Sequence, residues 1–235
     1  MTEQPVIAIT GTSRGIGLGM AGYFVERNYR VAGCSRGSTG LATANYLHSQ
    51  VDVTDEKQVR GWFRTVKNHY GRIDVLVCNA AMIPASSLLA ATSLDVADRT
   101  FRTNVIGAYL ACREAAKVMM LQRSGRIITV SSMAVGLHEA GTSVYAASKS
   151  AVVEMTKVLA NELAPLGITC NVIAPSVFRT SAVENLGEAV VQHALERLTV
   201  KRDVTIEEIC NVIEFFAAPE SSSITGQVLY MGLVT

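Results

Sequence analysis

Residues 6–19 read VIAITGTSRGIGLG, and this stretch decides the fold. The apolar run Val6–Thr10 is typical of a strand that is buried on both faces within a parallel sheet. Glycines follow at positions 11, 15, 17 and 19, and a helix-like pattern then begins. Glycines allow a tight turn and a close approach to a pyrophosphate, and the N-terminus of a helix offers amide donors to an anion. The order strand, glycine turn, helix therefore predicts a phosphate-binding loop, with an ordinary turn as the alternative.

Strand-like and helix-like segments alternate through the rest of the chain. Further strands are predicted at residues 30–35, 49–52, 73–78, 126–130, 168–174 and 227–231. Helices are predicted after the Thr54–Asp55 cap and at residues 95–122, 144–163 and 205–217, the last with a Thr205/Glu208 capping box. No linker or internal repeat divides the pattern. The sequence thus predicts an α/β protein, a single-domain Rossmann fold over residues 1–235, with a doubly wound seven-stranded parallel sheet and helices on both faces.

Composition limits the possible partners. With 21 Lys and Arg against 20 Asp and Glu, no excess charge favours nucleic acid or an anionic membrane. Five scattered cysteines without a C-x-x-C pair predict buried free thiols in a reducing compartment, and no metal site. The N-terminus lacks the cationic region of a secretory signal, and no apolar stretch approaches the roughly 18 residues that span a bilayer. We expect a cytoplasmic protein.

The end of the second strand indicates which dinucleotide the loop accepts. An acid at this point binds the ribose 2′-hydroxyl of NAD, whereas an arginine accommodates the 2′-phosphate of NADP. The strand ends at Ser35 and Arg36 follows it, while Arg14 lies inside the glycine loop. The two arginines favour NADP(H) over NAD(H), with a solvated loop charge as the alternative for Arg36.

Tyr145 and Lys149 are four residues apart, so they share one face of a predicted helix. A phenol has a pKa near ~10, and a neighbouring ammonium lowers that pKa toward the range that acid/base catalysis needs. Ser132 follows the strand at 126–130, at the edge of the sheet where α/β proteins bind ligands. Asn104 interrupts an apolar helix face and must be hydrogen-bonded if it is buried. Because Y-x-x-x-K is common by chance, the pair alone also fits a surface tyrosine and lysine.

Together these residues identify a family resemblance. The chain resembles the short-chain dehydrogenases/reductases over essentially its whole length. The motifs that carry the resemblance are Thr10–Gly–Thr–Ser–Arg–Gly–Ile–Gly17, Asp52–Val53, Asn79–Ala–Ala81, Asn104, Ser132, Tyr145-x-x-x-Lys149, and Pro175 with Thr180. Ala81 and Ser176 stand where the family usually has glycine, and the ending from Met231 to Thr235 departs from the usual Asp-Gly-Gly.

The resemblance implies the roles of four catalytic residues. Tyr145 would protonate the carbonyl oxygen during reduction, and Ser132 would hydrogen-bond that oxygen. Lys149 would lower the pKa of Tyr145 and hold the nicotinamide ribose hydroxyls. Asn104 would hold a water that links Lys149 to solvent.

The resemblance also implies which residues contact the cofactor. Asp52 and Val53 would face the adenine, Asn79 and Ala80 the ribose region, and Val177 and Thr180 the nicotinamide end. The full expected set is Gly11, Ser13, Arg14, Gly15, Ile16, Gly17, Arg36, Asp52, Val53, Asn79, Ala80, Tyr145, Lys149, Pro175, Val177 and Thr180. Beyond the sixth strand, an apolar stripe within about residues 176–200 predicts a substrate lid, with ordinary surface packing as the alternative.

The expected reaction is NADPH-dependent reduction of a ketone, either a 3-oxoacyl group or another mainly apolar carbonyl compound, to a secondary alcohol. The pattern is most similar to 3-oxoacyl-[acyl-carrier-protein] reductases. Arg123 matches one arginine with which such reductases dock the carrier, but Leu166 stands at the second, so a carrier-linked substrate and a free ketone both stay open. An alcohol dehydrogenase acting oxidatively and a non-catalytic dinucleotide sensor are the alternatives. The resemblance further implies a homotetramer or homodimer.

Overall fold

The computed structural model describes residues 4–179, 183 and 188–235, and in this part of the chain parallel strands form a seven-stranded sheet. The order across the sheet is β3-β2-β1-β4-β5-β6-β7. The strands are β1 (Val6–Thr10), β2 (Arg30–Ser35), β3 (Tyr46–Gln50), β4 (Val75–Cys78), β5 (Gly125–Val130), β6 (Ile168–Ala174) and β7 (Val228–Tyr230). The predicted parallel sheet is confirmed. The strand order reverses between β1 and β4, which is the point where open α/β sheets bind ligands.

Helices connect the strands and cover both faces of the sheet. They are α1 (Gly15–Glu26), α2 (Glu56–Tyr70), α3 (Leu94–Phe101), α4 (Gly107–Gln122), α5 (Ala134–Leu137), α6 (Ser143–Leu163), α7 (Glu188–Glu196) and α8 (Ile206–Ala217). A π-helical segment at Arg102–Ile106 joins α3 to α4. Short 3₁₀ turns lie at Leu89–Ala91, Ala164–Leu166 and Pro219–Ser221. The capping box predicted for α8 is present, with Thr205 and Glu208 each bonded to the backbone of the other.

Apolar layers on the two sides of the sheet explain why β1 is a continuous apolar run. On one side, Val6 and Ala8 pack in a cluster with Trp62 of α2 and the inner residues of α4 and α6. On the other side, Ile7 and Ile9 pack in a cluster that contains residues of α1 and α8. Because helices occupy both faces, ligands can reach the sheet only at the strand ends and the loops that follow them.

Several predicted boundaries are wrong; the fourth strand, predicted at 73–78, begins at Val75. The third strand is predicted at 49–52 but lies at Tyr46–Gln50, because its register is set by pairing with β2 from Val31↔Tyr46 to Ser35↔Gln50. The helix predicted at 95–122 is divided into α3 and α4, since Asn104 in the π-helical segment turns its amide toward groups outside the helix. Asp55 alone caps α2, through bonds from Lys57 N and Gln58 N.

The five cysteines are buried and carry free thiols, as predicted. Within the described ranges, none of the helices combines the length and apolar character of a membrane span. In the same part of the chain, His, Cys, Asp and Glu side chains form no group of three that could hold a metal ion.

Candidate active site

The glycine loop crosses the carboxyl end of β1 and leads directly into α1. Gly11 has a φ of 81° and Gly15 a φ of 56°, in the left-handed region that favours glycine. A Cβ on Gly17 would lie 2.0 Å from the carbonyl oxygen of Gly11, so α1 can pack against the loop only if residue 17 is glycine. The N–H groups of Gly11 and Thr12 donate to Cys34 O at 2.7 and 3.1 Å, which fixes the loop against β2. The first N–H groups of α1 have no partner within the helix. They therefore lie, without helical partners, at the carboxyl end of β1.

Thr10 joins the ends of β1 and β4. Its Oγ1 accepts hydrogen bonds from Asn79 N at 3.0 Å and from Ala80 N at 2.9 Å. Asn79 Nδ2 donates in return to Thr10 O at 3.0 Å. The approach is so close that a Cβ on Gly11 would lie 2.9 Å from the Cα of Ala80. The Asn79–Ala80 segment is therefore held directly against the glycine loop.

A cavity of about 1540 Å³ lies at the carboxyl ends of the strands and gathers the predicted residues from seven separate segments. Predicted residues that line it are Gly11, Ser13, Arg14, Gly15, Ile16, Gly17, Arg36, Asp52, Val53, Asn79, Ala80, Ser132, Tyr145, Lys149, Pro175 and Val177. Asn104 is only 1% exposed and lies behind Met82, which is part of the cavity wall. Thr180 lies outside the described residues.

Arg14 and Arg36 are exposed and belong to the cavity wall. In the described part of the chain, neither guanidinium forms an ion pair or a hydrogen bond, whereas Arg60, Arg72 and Arg113 are paired with carboxylates. Two guanidinium groups with all donors free attract an anionic ligand group.

The cavity wall also contains Ser132, Tyr145 and Lys149. Lys149 is 3% exposed, its Nζ donates to Val130 O at 2.8 Å, and burial lowers its pKa to about 8. Burial raises the pKa of Tyr145, and a hydrogen bond with Ser132 opposes that shift. We expected Lys149 to lower the pKa of Tyr145. The structure shows no such effect, because Nζ is bonded to the Val130 carbonyl and lies 5.9 Å from the tyrosine ring centroid.

Asn104 links the loop after β4 to the helix that carries Tyr145. Its Oδ1 accepts from Met82 N at 2.7 Å, and its Nδ2 donates to Met82 O at 3.0 Å and to Ser148 Oγ at 2.9 Å. Ser148 Oγ donates in turn to Tyr145 O at 2.7 Å. The implied role of Asn104 in holding a water stays a prediction. Sequence reasoning missed Ser148, because a serine inside a helix gives no sign of a partner on another element.

The wall beyond Ser132, Tyr145 and Lys149 is mostly apolar. It includes Met82, Ile83, Pro84, Met133, Leu137, Val183, Ala189, Val190 and Ala194. Ionisable side chains in the lining include Glu139 and His193; Glu139 pairs with Arg197 and lies 3.7 Å from His193 Nε2. Sequence reasoning missed this group, since its three members come from two distant segments.

Part of the region predicted as a lid packs against the body of the protein, and another part borders the cavity. Val191, Leu195 and Leu198 are buried against Leu137 and Val177. Further members of its apolar stripe, Val183, Val190 and Ala194, lie in the cavity wall, whereas Leu186 lies outside the described residues.

The atypical C-terminal segment packs beside the lid region. The N–H groups of Thr199 and Val200 donate to Gly232 O at 3.0 and 3.1 Å. A Cβ on Gly136 would lie 2.6 Å from the Cγ2 of Thr235. The unusual ending is therefore part of the structure around the substrate side of the cavity.

Comparison with known proteins supports the same interpretation. Residues 11–232 match the protein family described as enoyl-(acyl carrier protein) reductase. The chain is 32% identical, over 235 residues, to the 3-oxoacyl-[acyl-carrier-protein] reductase of Vibrio harveyi, a match that covers 97% of this chain and 96% of the relative. The chain belongs to the short-chain dehydrogenase/reductase family. The family predicted from the sequence is thereby confirmed.

Solved structures of this family share the fold. ElxO with NADP bound has a TM-score of 0.89 and 28% identity, covering 97% of both chains. The 3-ketoacyl-(acyl-carrier-protein) reductase from Brucella melitensis, complexed with NADH, has a TM-score of 0.91 and 25% identity, again covering 97% of both chains. This short-chain dehydrogenase/reductase is accordingly an NAD(P)-dependent oxidoreductase, as predicted.

Replacement of Thr10 by valine is expected to destabilise the junction between β1 and β4. Thr10→Val removes the acceptor of two N–H groups in a site that is 3% exposed, so the free energy of unfolding should fall by about 1–3 kcal/mol. Urea denaturation followed by circular dichroism measures this change. Thr10→Ser keeps the acceptor and serves as the control. Equal stability of Thr10→Val and the wild type would contradict the importance of this junction.

Proposed function

We propose that this enzyme reduces a ketone to a secondary alcohol with NADPH, and that Tyr145 is the general acid. One observation carries the proposal: a single cavity contains Ser132, Tyr145 and Lys149 together with the glycine loop and the unpaired guanidinium of Arg36. A proton donor and a dinucleotide-binding surface in one cavity are the two components that carbonyl reduction by hydride transfer requires.

The cavity wall fits NADP(H). A Cβ at position 17 would fill the space between α1 and the glycine loop. The N-terminus of α1 begins beside it at Gly15, as pyrophosphate binding needs. Arg36 follows the end of β2 and Arg14 lies in the glycine loop, both in the cavity wall, while Ser35 stands where an acid would accept the 2′-hydroxyl of NAD. Similar solved structures contain NADP in one case and NADH in another, so they support dinucleotide binding, and the preference rests on the two arginines.

When bound, the nicotinamide supplies the hydride that reduces the carbonyl carbon. Tyr145 supplies the proton to the carbonyl oxygen, and its raised pKa keeps the phenol protonated at neutral pH. Ser132 hydrogen-bonds the same oxygen and stabilises the negative charge that develops on it. Lys149 is charged below a pKa of about 8 and holds the ribose hydroxyls of the cofactor. Asn104 keeps the helix of Tyr145 and Lys149 fixed to the loop after β4.

The substrate is a 3-oxoacyl group or another mainly apolar ketone. The apolar wall that extends from Met82 to Ala194 favours such a compound, with residues 176–200 acting as the lid of a single domain. The Vibrio harveyi relative is named for a carrier-linked 3-oxoacyl substrate. Arg123, however, ends α4 beside the amino end of β5, at the edge of the sheet opposite to the cavity. It does not border the cavity of its own chain, which favours a free ketone over carrier docking within one subunit.

Exposed apolar side chains support the proposal that the enzyme forms an oligomer. Large apolar side chains are exposed along α3, the π-helical segment and α4, namely Leu94, Phe101, Ile106, Tyr109, Met120 and Leu121. Exposed apolar residues on one continuous stretch are typical of subunit interfaces. A homotetramer or homodimer is the proposed state.

Loss of the phenol should stop the reaction without loss of cofactor binding. Tyr145→Phe is expected to reduce kcat for ketone reduction by about 10²–10⁴-fold, because the proton donor is gone. A panel of ketones with NADPH, followed by absorbance of the reduced cofactor, measures this change. Tyr70→Phe removes a hydroxyl from a tyrosine of α2 that belongs neither to the cavity wall nor to the proposed interface, and is the matched control. Undiminished ketone reduction by Tyr145→Phe would rule out this residue as the acid.

The charge of Lys149 should set the alkaline limit of activity. Because burial lowers its pKa to about 8, the ammonium is present below that pH and is lost above it. We expect kcat/KM for NADPH, measured at saturating ketone, to fall as the pH rises through about 8. Lys149→Arg keeps a positive charge throughout, so any activity it retains should lack this decline. A wild-type profile that stays level into the range of unperturbed lysine, near pKa ~10.4, would contradict the assignment.

Removal of the cation at the end of β2 should change the cofactor preference. Arg36→Ala is expected to weaken NADPH binding by about tenfold, or ~1.4 kcal/mol, with a smaller effect on NADH. Fluorescence titration with each cofactor measures both constants. Arg64→Ala changes an exposed arginine of α2 and is the control. A wild-type enzyme that prefers NADH by more than about tenfold would overturn the NADPH proposal and favour the oxidative alternative.

A further inference from the structure

Buried and half-buried polar side chains connect the glycine loop to the loop that follows β2. The Tyr46 hydroxyl donates to Thr12 Oγ1 at 2.9 Å and lies 3.1 Å from His48 Nδ1. His48 Nε2 lies 3.0 Å from Gly37 O, and because a carbonyl can only accept, Nε2 is the donor. Neither Tyr46 nor His48 has a role in the reaction described above. We call Thr12, Tyr46, His48 and Gly37 the β3 network.

The β3 network has space because residue 33 is a glycine. Gly33 pairs with His48 across β2 and β3. A Cβ on Gly33 would lie 2.2 Å from the Tyr46 hydroxyl and 2.5 Å from Thr12 Oγ1. Any side chain at this position would therefore separate the two hydroxyls. The glycine allows the two hydroxyls to meet directly over the strand.

The network ends on a carbonyl group with two donors. Ser35 Oγ donates to Gly37 O at 2.9 Å, and His48 Nε2 donates to the same oxygen. Gly37 would otherwise be among the least restricted residues of the chain, because glycine has wide conformational freedom and nothing lies within 4 Å of its Cβ position. Its neighbours Arg36 and Ser38 both line the cavity. The two bonds thus fix the peptide between the two side chains that line the cavity, Arg36 and Ser38.

We propose that His48 is a positioning residue for NADPH: it holds the Gly37 carbonyl and so places Arg36 and Ser38 around the 2′-phosphate. This inference rests on the proposed function, since it requires that the enzyme recognise that phosphate. In the described part of the chain, the residues that line the cavity do not include His48. Its effect is therefore specific to the 2′-phosphate and does not extend to the rest of the adenosine.

Two small ligands separate the 2′-phosphate from the rest of the cofactor. Adenosine 2′,5′-bisphosphate carries the phosphate, and adenosine 5′-monophosphate lacks it. Isothermal titration calorimetry on the full chain gives the affinity for each. His48→Ala is expected to weaken the bisphosphate by about tenfold, or ~1.4 kcal/mol, and to leave the monophosphate within about twofold. His69→Ala, an exposed histidine of α2, is the matched control and should change neither affinity.

Two conservative variants test which nitrogen of His48 matters. The amide nitrogen of His48→Gln can take the place of Nε2 and donate to Gly37 O, whereas His48→Asn can replace only Nδ1. Glutamine should therefore restore most of the bisphosphate affinity, and asparagine should not. Tyr46→Phe should weaken the bisphosphate less than His48→Ala does, since the two donors on Gly37 remain. Thermal unfolding of each variant confirms that the comparison is made between folded proteins.

The outcomes distinguish the two levels of the proposal. If the wild type binds both ligands equally, the proposed NADPH preference is wrong, and the role of His48 is wrong with it. If the wild type prefers the bisphosphate and His48→Ala keeps that preference, only the role of His48 is overturned. An equal weakening of both ligands, or equal recovery by asparagine and glutamine, would likewise show that His48 supports the fold and not the phosphate pocket.

Discussion

The contact between the glycine loop and the end of β4 is the constraint on which the rest of the site depends. Gly17 lies so close to the carbonyl oxygen of Gly11 that a Cβ would not fit between them. The hydroxyl of Thr10 accepts hydrogen bonds from the backbone of Asn79 and Ala80 and so holds that segment against the same loop. The strands β1 and β4 are neighbours at which the sheet order reverses. The crevice at this point opens because the loops that follow β1 and β4 leave in different directions across the sheet. The hydrogen bonds of Thr10 set how closely those loops approach each other.

Much of the fold could be predicted because its signals are local. The apolar residues of Val6–Thr10 are enough to predict a buried parallel strand, and the glycines that follow predict the turn. The predicted third strand begins three residues too far along the chain. The mixed sequence from Tyr46 to Gln50 has no clear strand pattern, and its position is set by pairing with β2. The division of the long helix was not predictable either. Its cause is the bonding of Asn104 to Met82 and Ser148, which lie far from it in the sequence.

The same distinction holds for the site. Residues within motifs, such as Tyr145 and Lys149, are recognised from spacing, and the structure places them in one cavity. The pKa expectation for Tyr145 was wrong because spacing along a helix does not show where an ammonium forms its hydrogen bond. Here Lys149 donates to Val130 O. Glu139 and His48 were not identified, since each depends on partners from other segments. Sequence reasoning finds residues that act within one motif and misses those that act through contacts between segments.

The two ends of the cavity use charge in different ways. At the end that contains Ser132 and Tyr145, Lys149 is buried, so salt screens its interactions little, and the same burial lowers its pKa. At the other end, Arg14 and Arg36 are exposed, and ions in solution screen them strongly. Flexible, exposed cations discriminate between ligands only when their backbone is fixed, because ordering the loop otherwise opposes binding. The β3 network fixes that backbone at Gly37. In the proposed NADPH pocket, selectivity for the 2′-phosphate would therefore depend on the two hydrogen bonds to Gly37 O as much as on the cations themselves.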